Sequence, residues 1–412
     1  MKILHVVHGY TPAIGGTEYL IQKISENLVK MYQDEVTVYT TNAYNCELFW
    51  RRDQPQMPVG IEEINGVLVH RFPVFNYFNR LRYLAAGTTY KFGLPYNDWF
   101  RALQNGPLIP GMTKRIAEAP VDVIAGSSFP LLHMHYMQWA GKRSGKPVVY
   151  HGGIHTADPY GFERPMIYKA IKQVDGYVAY TSFERDYLLS KGIAKDKMQV
   201  TGLGIDPQPF EQANGRSLRE KFGWSDSPVI AFVGQQVPHK GIDMLIEAMP
   251  HIWTKTPNAC VLIAGAQTTY STTIQQWYDG LTPEQQSQVA ILNNFSNNEK
   301  PDIFAACDLL VFPSGHESFG FVILEAWAAK KPVIGARIGA VPTVIDEGEN
   351  GLLIEHRSVD DLTRAIQHLL SHPAERHALG EAGRQKIAEQ YTWEIVTAKF
   401  RAAYERVLAS RV

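Results

Sequence analysis

Three cysteines in 412 residues, Cys46, Cys260 and Cys307, stand far apart and in no ligand-like spacing. That excludes a disulfide framework, argues against a cysteine-built zinc site, and fits a reducing compartment. No apolar run reaches the roughly 18 residues that cross a bilayer. The N-terminal run is short, broken by His5 and followed by Gly9 and Pro12 instead of a small-residue cleavage site, so it reads as a first strand and not as a leader. Neither sign of charge is in excess, with 40 Lys and Arg against 41 Asp and Glu, so no whole-chain field attracts nucleic acid. No G-x-x-x-x-G-K-[ST] occurs, and the glycines after the first strand lack G-x-G-x-x-G spacing.

What is present is an ordinary globular composition, 45% hydrophobic and 20% charged, long enough for two or three domains. Short apolar runs alternate with helix-period segments, the pattern of parallel strands joined by crossover helices. A first series of strands includes Ile3 to Val7, Val36 to Tyr39, Val121 to Ala125, Val148 to Tyr150 and Tyr177 to Tyr180. A second runs from Val229 to Val233 through Val261 to Ala264, Leu309 to Phe312, Val333 to Ile334 and Leu352 to Ile354. Two doubly wound α/β units are the economical reading. Between the series, Asp206 to Gly215 carries two prolines and a glycine, which predicts neither helix nor central strand and marks the boundary. At the end, Trp393, Val396, Phe400, Ala403 and Val407 fall at helical spacing, an amphipathic helix that needs a partner surface.

Four strand ends carry chemistry. After Leu309 to Phe312 comes Pro313-Ser314-Gly315-His316-Glu317-Ser318-Phe319-Gly320, then a helical run. Ligands in open α/β sheets bind at the carboxyl ends of strands, and amides at the helix start suit a diphosphate. Glu317 faces that crevice. Glu325 has Phe321, Val322, Ala328 and Ala329 as helix-face neighbours, so it is partly buried and needs hydrogen-bonding partners, such as sugar or ribose hydroxyls. A solvated loop acid and a helix-edge acid paired with lysine are the plainer readings. The second strand end is Gly234-Gln235-Gln236 leading to Lys240-Gly241. There the helix dipole disfavours a cation by about 0.3–1 kcal/mol, whereas a bond to phosphate returns about 1.5–3 kcal/mol. The third is Gly15-Gly16, whose glycines admit close backbone approach or a turn of positive φ. The fourth is His151-Gly152-Gly153.

Together these residues resemble the retaining glycosyltransferases of family 4, which have the GT-B architecture: two Rossmann-like doubly wound domains facing across a cleft. The resemblance runs from Lys2 to about Tyr404. It rests on Gly15-Gly16, His151-Gly152, Gly204-Ile205-Asp206, Lys240-Gly241, the E-x7-E pair Glu317 and Glu325, Pro332-Val333-Ile334 and Asn350-Gly351-Leu352. It implies an acceptor-binding domain at 1–207, with 393–412 packing back on it, and a nucleotide-sugar domain at 208–392. It implies Glu317, His151 and Lys240 as catalytic residues, with His151 against the transferred sugar. Donor-binding residues would be Gly16, Gln235, Lys240, Ser318, Phe319, Gly320 and Glu325, with Gly15 toward the acceptor. The implied reaction moves a sugar from a nucleotide diphosphate to a hydroxyl of a glycan, a lipid-linked or a small acceptor, with retained anomeric configuration. No metal or other cofactor is expected, since such enzymes work without a D-x-D site and this chain has none.

The chain departs from the family at Gln235, where a phosphate-binding arginine is usual; Arg337 is the candidate substitute. Residues 64 to 97 hold no acid but include Arg71, Arg80, Arg82, Lys91 and many aromatics. They read either as a surface for an anionic or lipid-linked acceptor, with Arg80 and Arg82 as acceptor contacts, or as an aromatic core patch with solvated arginines. A cytoplasmic location is expected, with any membrane attachment peripheral. The rival functions are a sugar-nucleotide epimerase or phosphorylase on the same architecture and, because of Gln235, a non-catalytic nucleotide or glycan binder.

Overall fold

The computed structural model describes residues 1–13 and 15–411. Ile14 and Val412, the latter within the expected segment 393–412, lie outside the described residues. The chain forms two compact units: unit 1 is Met1–Gly204 with the segment from Trp393 onward, and unit 2 is Ile205–Thr392.

Unit 1 is built on eight strands: β1 (Lys2–Val6), β2 (Glu35–Thr41), β3 (Gly60–Ile64), β4 (Val67–Phe72), β5 (Val123–Gly126), β6 (Val148–His151), β7 (Gly176–Ala179) and β8 (Met198–Val200). Their order is β3-β4-β2-β1-β5-β6-β7-β8. All pairs are parallel except the hairpin of β3 with β4, closed by Asn65-Gly66 with both residues at positive φ, the backbone that a two-residue hairpin turn demands. β1 lies between β2 and β5, so the crossovers leave in opposite directions and open a crevice at its carboxyl end.

Unit 2 has six parallel strands, β9 (Val229–Val233), β10 (Cys260–Gly265), β11 (Val289–Asn293), β12 (Leu309–Phe312), β13 (Val333–Ala336) and β14 (Gly351–Ile354), in the order β11-β10-β9-β12-β13-β14. Every residue of β9, β10, β12 and β13 is buried, as expected of parallel strands covered by helices on both faces. The switch point falls between β9 and β12.

The terminal helix, Trp393–Ala409, belongs to unit 1, where Trp393, Val396, Phe400, Ala403 and Val407 are all buried. Gly204 leaves room for it: a Cβ there would meet the Trp393 ring at 2.3 Å. Arg401 and the N-terminal amine both bind Asp34, at 2.9 and 2.7 Å. The proline stretch after residue 206 is not structureless. Gln208–Glu211 is a short helix, because a proline in the first turn costs no intrahelical hydrogen bond. No helix among the described residues is long and apolar enough to cross a membrane.

Candidate functional site

In unit 2 the loops after β9 and β12 are locked together at the switch point. Gly241 has φ +75°, and a Cβ there would lie 2.5 Å from the Pro313 carbonyl oxygen, so only glycine lets the two loops touch. The Gly315 amide donates to the His239 carbonyl at 3.0 Å. This contact brings Lys240 onto Glu317 as a close ion pair, Nζ to Oε1. Gly320, at φ +99°, starts the helix Phe321–Ala328 without a side-chain cap. Phe319 is buried edge-on against Tyr391, with centroids 5.4 Å apart, while Ser318 is half-buried.

Glu325 is buried on that helix, and its Oε1 accepts from Lys300 Nζ at 2.7 Å. Among the described residues its Oε2 has no partner, nor has the Oγ of fully buried Ser314. Buried acceptors left unsatisfied cost about 1–3 kcal/mol each, which a ligand's hydroxyl groups would recover. Lys300 escaped the sequence reading because it lies 25 residues from its partner and in no motif. Gln236 escaped too. It is fully buried, donates to Asn293 Oδ1 at 2.7 Å, leaves its own Oε1 without a partner among the described residues, and borders a cavity of about 190 Å³ with Thr268, Ser271 and Asn293. Gln235 beside it is exposed. Arg337, the candidate substitute, is exposed and pairs with Glu347 and Glu355 at 2.8 and 3.4 Å. A larger cavity, about 830 Å³, lies beside Lys330 and Lys331, which lead into the amino end of β13, the edge away from these residues.

In unit 1, Gly15 is extended at φ 175°, so positive φ does not explain it. Its smallness accommodates Glu18, whose Oε2 would be 2.2 Å from a Cβ. Gly16 opens the helix Gly16–Tyr32. Glu18 pairs with His8 at 2.9 Å. Burial works against the charged imidazole, but the Cys46 sulfur and the Glu18 carboxylate outweigh it and raise the His8 pKa to about 10. Burial likewise opposes the Glu18 carboxylate, and His8 more than offsets this, so its pKa falls.

Two expectations in unit 1 are corrected. His151 is the last residue of β6 and fully buried, stacked on Tyr404 and edge-on to Phe400. Its Nε2 bonds the Tyr404 hydroxyl at 2.8 Å, and burial holds its pKa well below the usual value. It is neutral and sealed from ligands, so it is a structural residue and not a catalytic one. The histidine that does reach the carboxyl-edge loop is His155, half-buried beside Phe162. Gly152 and Gly153 serve Glu184: a Cβ on Gly152 would be 2.4 Å from Glu184 Oε2, and Glu184 accepts from the amides of Gly153, Ile154 and Tyr180 and from the Tyr177 hydroxyl. Arg82 is not an acceptor contact. Its guanidinium donates to the Phe49 and Leu103 carbonyls at 2.9 and 3.0 Å, and burial lowers its pKa. Arg80 remains exposed.

Residues 14–209 match the family described as Glycosyltransferase Family 4, and residues 215–386 match Glycosyl transferases group 1. The chain belongs to the family 4 glycosyltransferases. This glycosyltransferase is 26% identical to a D-inositol 3-phosphate glycosyltransferase of Stackebrandtia nassauensis, across 89% of its own length and 83% of the relative's. It is 32% identical to a GDP-mannose-dependent monoacylated alpha-(1-6)-phosphatidylinositol monomannoside mannosyltransferase of Corynebacterium glutamicum, over about half of each chain, 47% and 52%. In fold it is similar to Anabaena HepE, solved in complex with UDP, at a TM-score of 0.74 and 18% identity, covering 98% of this chain and 100% of that one. The glycosyltransferase thus has the GT-B class of fold, two Rossmann-like units.

Proposed function

We propose that this glycosyltransferase takes a nucleotide-diphosphate sugar as donor and transfers its sugar to a hydroxyl acceptor with retained configuration. The observation that carries the reading is the Lys240–Glu317 ion pair at the β9/β12 switch point, beside an uncapped helix start and the unpartnered Glu325 Oε2. A diphosphate entering there exchanges the Glu317 carboxylate for its own oxygens as the partner of Lys240, while the amides near Ser318, Phe319 and Gly320 add the positive end of the helix. Glu325, held by Lys300, receives the ribose hydroxyls. Gln235 contributes a neutral donor where a cation is absent.

Transfer forms the bond from the anomeric carbon to the acceptor oxygen and breaks the bond from that carbon to the β-phosphate oxygen. The departing phosphate takes the acceptor proton on the same face of the sugar. The barrier lies in charge separation, which Lys240 lowers by stabilising the leaving diphosphate. Glu317, freed from Lys240, lies beside the sugar, where its charge favours an oxocarbenium-like transition state. His155 takes the place against the sugar expected for His151. No metal is needed, because Lys240 and the amides carry the diphosphate charge. The relatives' names, an inositol phosphate and a phosphatidylinositol mannoside among them, support a phosphorylated polyol or glycolipid acceptor.

A thermal-shift series with UDP, GDP and their sugars tests the reading. A ligand at 100 times its Kd stabilises by about 2.7 kcal/mol, so a clear rise in Tm is expected for one nucleotide series, unchanged by EDTA. If no nucleoside diphosphate shifts Tm, the donor assignment fails. If a product forms with inverted configuration by NMR, only the stereochemical part fails.

A further inference from the structure

The helices Asn79–Lys91 and Asn97–Asn105 of unit 1, with the turn between them, are built with their apolar side outward. On the first, Leu81, Tyr83 and Leu84 are 64%, 70% and 64% exposed, while Ala86 and Thr89 face inward. Phe78 leads into it at 72% exposure. On the second, Tyr96, Phe100 and Leu103 form an exposed stripe at i, i+4 and i+7, and Phe92 and Leu94 are exposed in the turn. An apolar surface this continuous marks an interaction site.

The arrangement is held in place from beneath. Arg82 ties the pair to the Phe49 and Leu103 carbonyls, and Trp50 Nε1 donates to the Gln104 carbonyl at 2.7 Å. Arg101, buried, binds Asp98 at 2.6 Å and the Tyr160 carbonyl at 2.8 Å. Arg82 and Arg101 thus turn inward and most of the rings turn outward, with Trp99 stacked inward on Trp139.

Charge selects the occupant. Arg80 and Lys91, eleven residues apart and so on one helical face, are exposed and make no ion pair among the described residues. Arg52 lies 3.8 Å over the Tyr77 ring at the border. Residues 64 to 97 contain no acid, and Asp98 is taken by Arg101. A second copy of this face would oppose cation to cation, whereas an anionic bilayer supplies phosphates for the cations and an interface for the rings. Position agrees. The segment follows β4 and is bonded to the loop after β2, at the carboxyl edge of the sheet, and Arg71 on β4 donates to the Thr11 carbonyl of the glycine-pair loop at 2.6 Å.

We propose that this helical pair docks unit 1 on an anionic bilayer, its leucines and aromatic rings entering the headgroup layer while Arg80 and Lys91 meet lipid phosphates. Resting on the transfer reading above, it places the acceptor hydroxyl on a lipid. The test is flotation of the full chain with phosphatidylcholine vesicles, with and without 30% phosphatidylglycerol. Wild type should float with the anionic vesicles. A double variant Arg80→Ala, Lys91→Ala should bind them about fivefold more weakly for each cation removed, and Leu81→Ser, Leu84→Ser should stay in the aqueous fraction even at low salt. Circular dichroism should show both variants folded, because the altered side chains are exposed. The leucine variant should keep the nucleotide-induced Tm rise, so loss of docking and loss of the donor reading are told apart. Equal flotation of wild type and both variants overturns the proposal. So does a wild-type dimer in light scattering that the leucine variant abolishes without wild type binding vesicles, which would make a second copy the occupant.

Discussion

Gly241 and Lys240 act as one unit. A methyl at position 241 would be both strained at φ +75° and driven into Pro313, at a cost of about 1–2 kcal/mol for the left-handed backbone alone. Gly241→Ala should therefore separate the two loops and weaken nucleotide binding much as Lys240→Ala does. Removing the lysine should itself lower affinity about 10- to 100-fold, the equivalent of one charge-assisted phosphate bond, read by calorimetry with the nucleoside diphosphate that raises Tm. An unchanged Kd in Lys240→Ala would place the diphosphate elsewhere. In unit 1 the His8–Glu18 pair gives a pH signature. The folded pKa of His8 is raised, so its contribution is full below the ordinary histidine value near 6.5 and is lost as pH climbs through about 10. Tm should fall between pH 7 and 10 more steeply in wild type than in His8→Gln. At this scale the positions of Lys240 and Glu317 in loops after apolar strands, and of Glu325 on the helix that follows, were legible from the order of strand, loop and helix signals. Glu184, Gln236 and Lys300 were not, because a polar residue's burial is decided by partners dozens of residues away. His151 was misjudged by the width of a strand end: the strand runs through it, and the loop begins one residue later.

The terminal helix was legible as an element, since its five apolar positions at helical spacing are all buried against unit 1. Phe400, fully buried against His151, anchors it, and Phe400→Ala should destabilise the chain by about 3–5 kcal/mol in urea unfolding followed by circular dichroism. A loss under 1 kcal/mol would show that the helix is not integral to unit 1. The hairpin of β3 and β4 was legible in principle through Asn65-Gly66, yet exposed Ile61 and Glu62 blur the strand pattern at that edge. Strand β11 is half exposed at its carboxyl end, and the sequence reading passed over it for the same reason. The aromatics of residues 64 to 97 illustrate a different limit. Composition tells that rings and cations are dense, but which of them turn inward depends on carbonyls supplied by Phe49 and Leu103, and it is the arginine that went in.

Across the whole molecule, the alternation of strand and helix signals sufficed for two doubly wound units, because parallel sheets are buried on both faces and leave near-continuous apolar runs. Each unit has its own switch point, and the donor reading uses that of unit 2 alone. Hydrogen exchange with bound nucleoside diphosphate should therefore protect the segments 234–241 and 313–326, while β1 and β6 exchange as before; protection confined to unit 1 would reverse the assignment of roles. The returning helix has one more consequence, for biosynthesis. Unit 2 is inserted between Gly204 and Trp393, so on the ribosome it is complete while unit 1 still lacks its cover. Until Tyr404 emerges, the Nε2 atoms of His5 and His151 lack the hydroxyl they share and Gly176 has no Val407 to pack on. The half of the enzyme translated first is thus the last to mature, and a stalled or shortened nascent chain would present that unsealed face to chaperones.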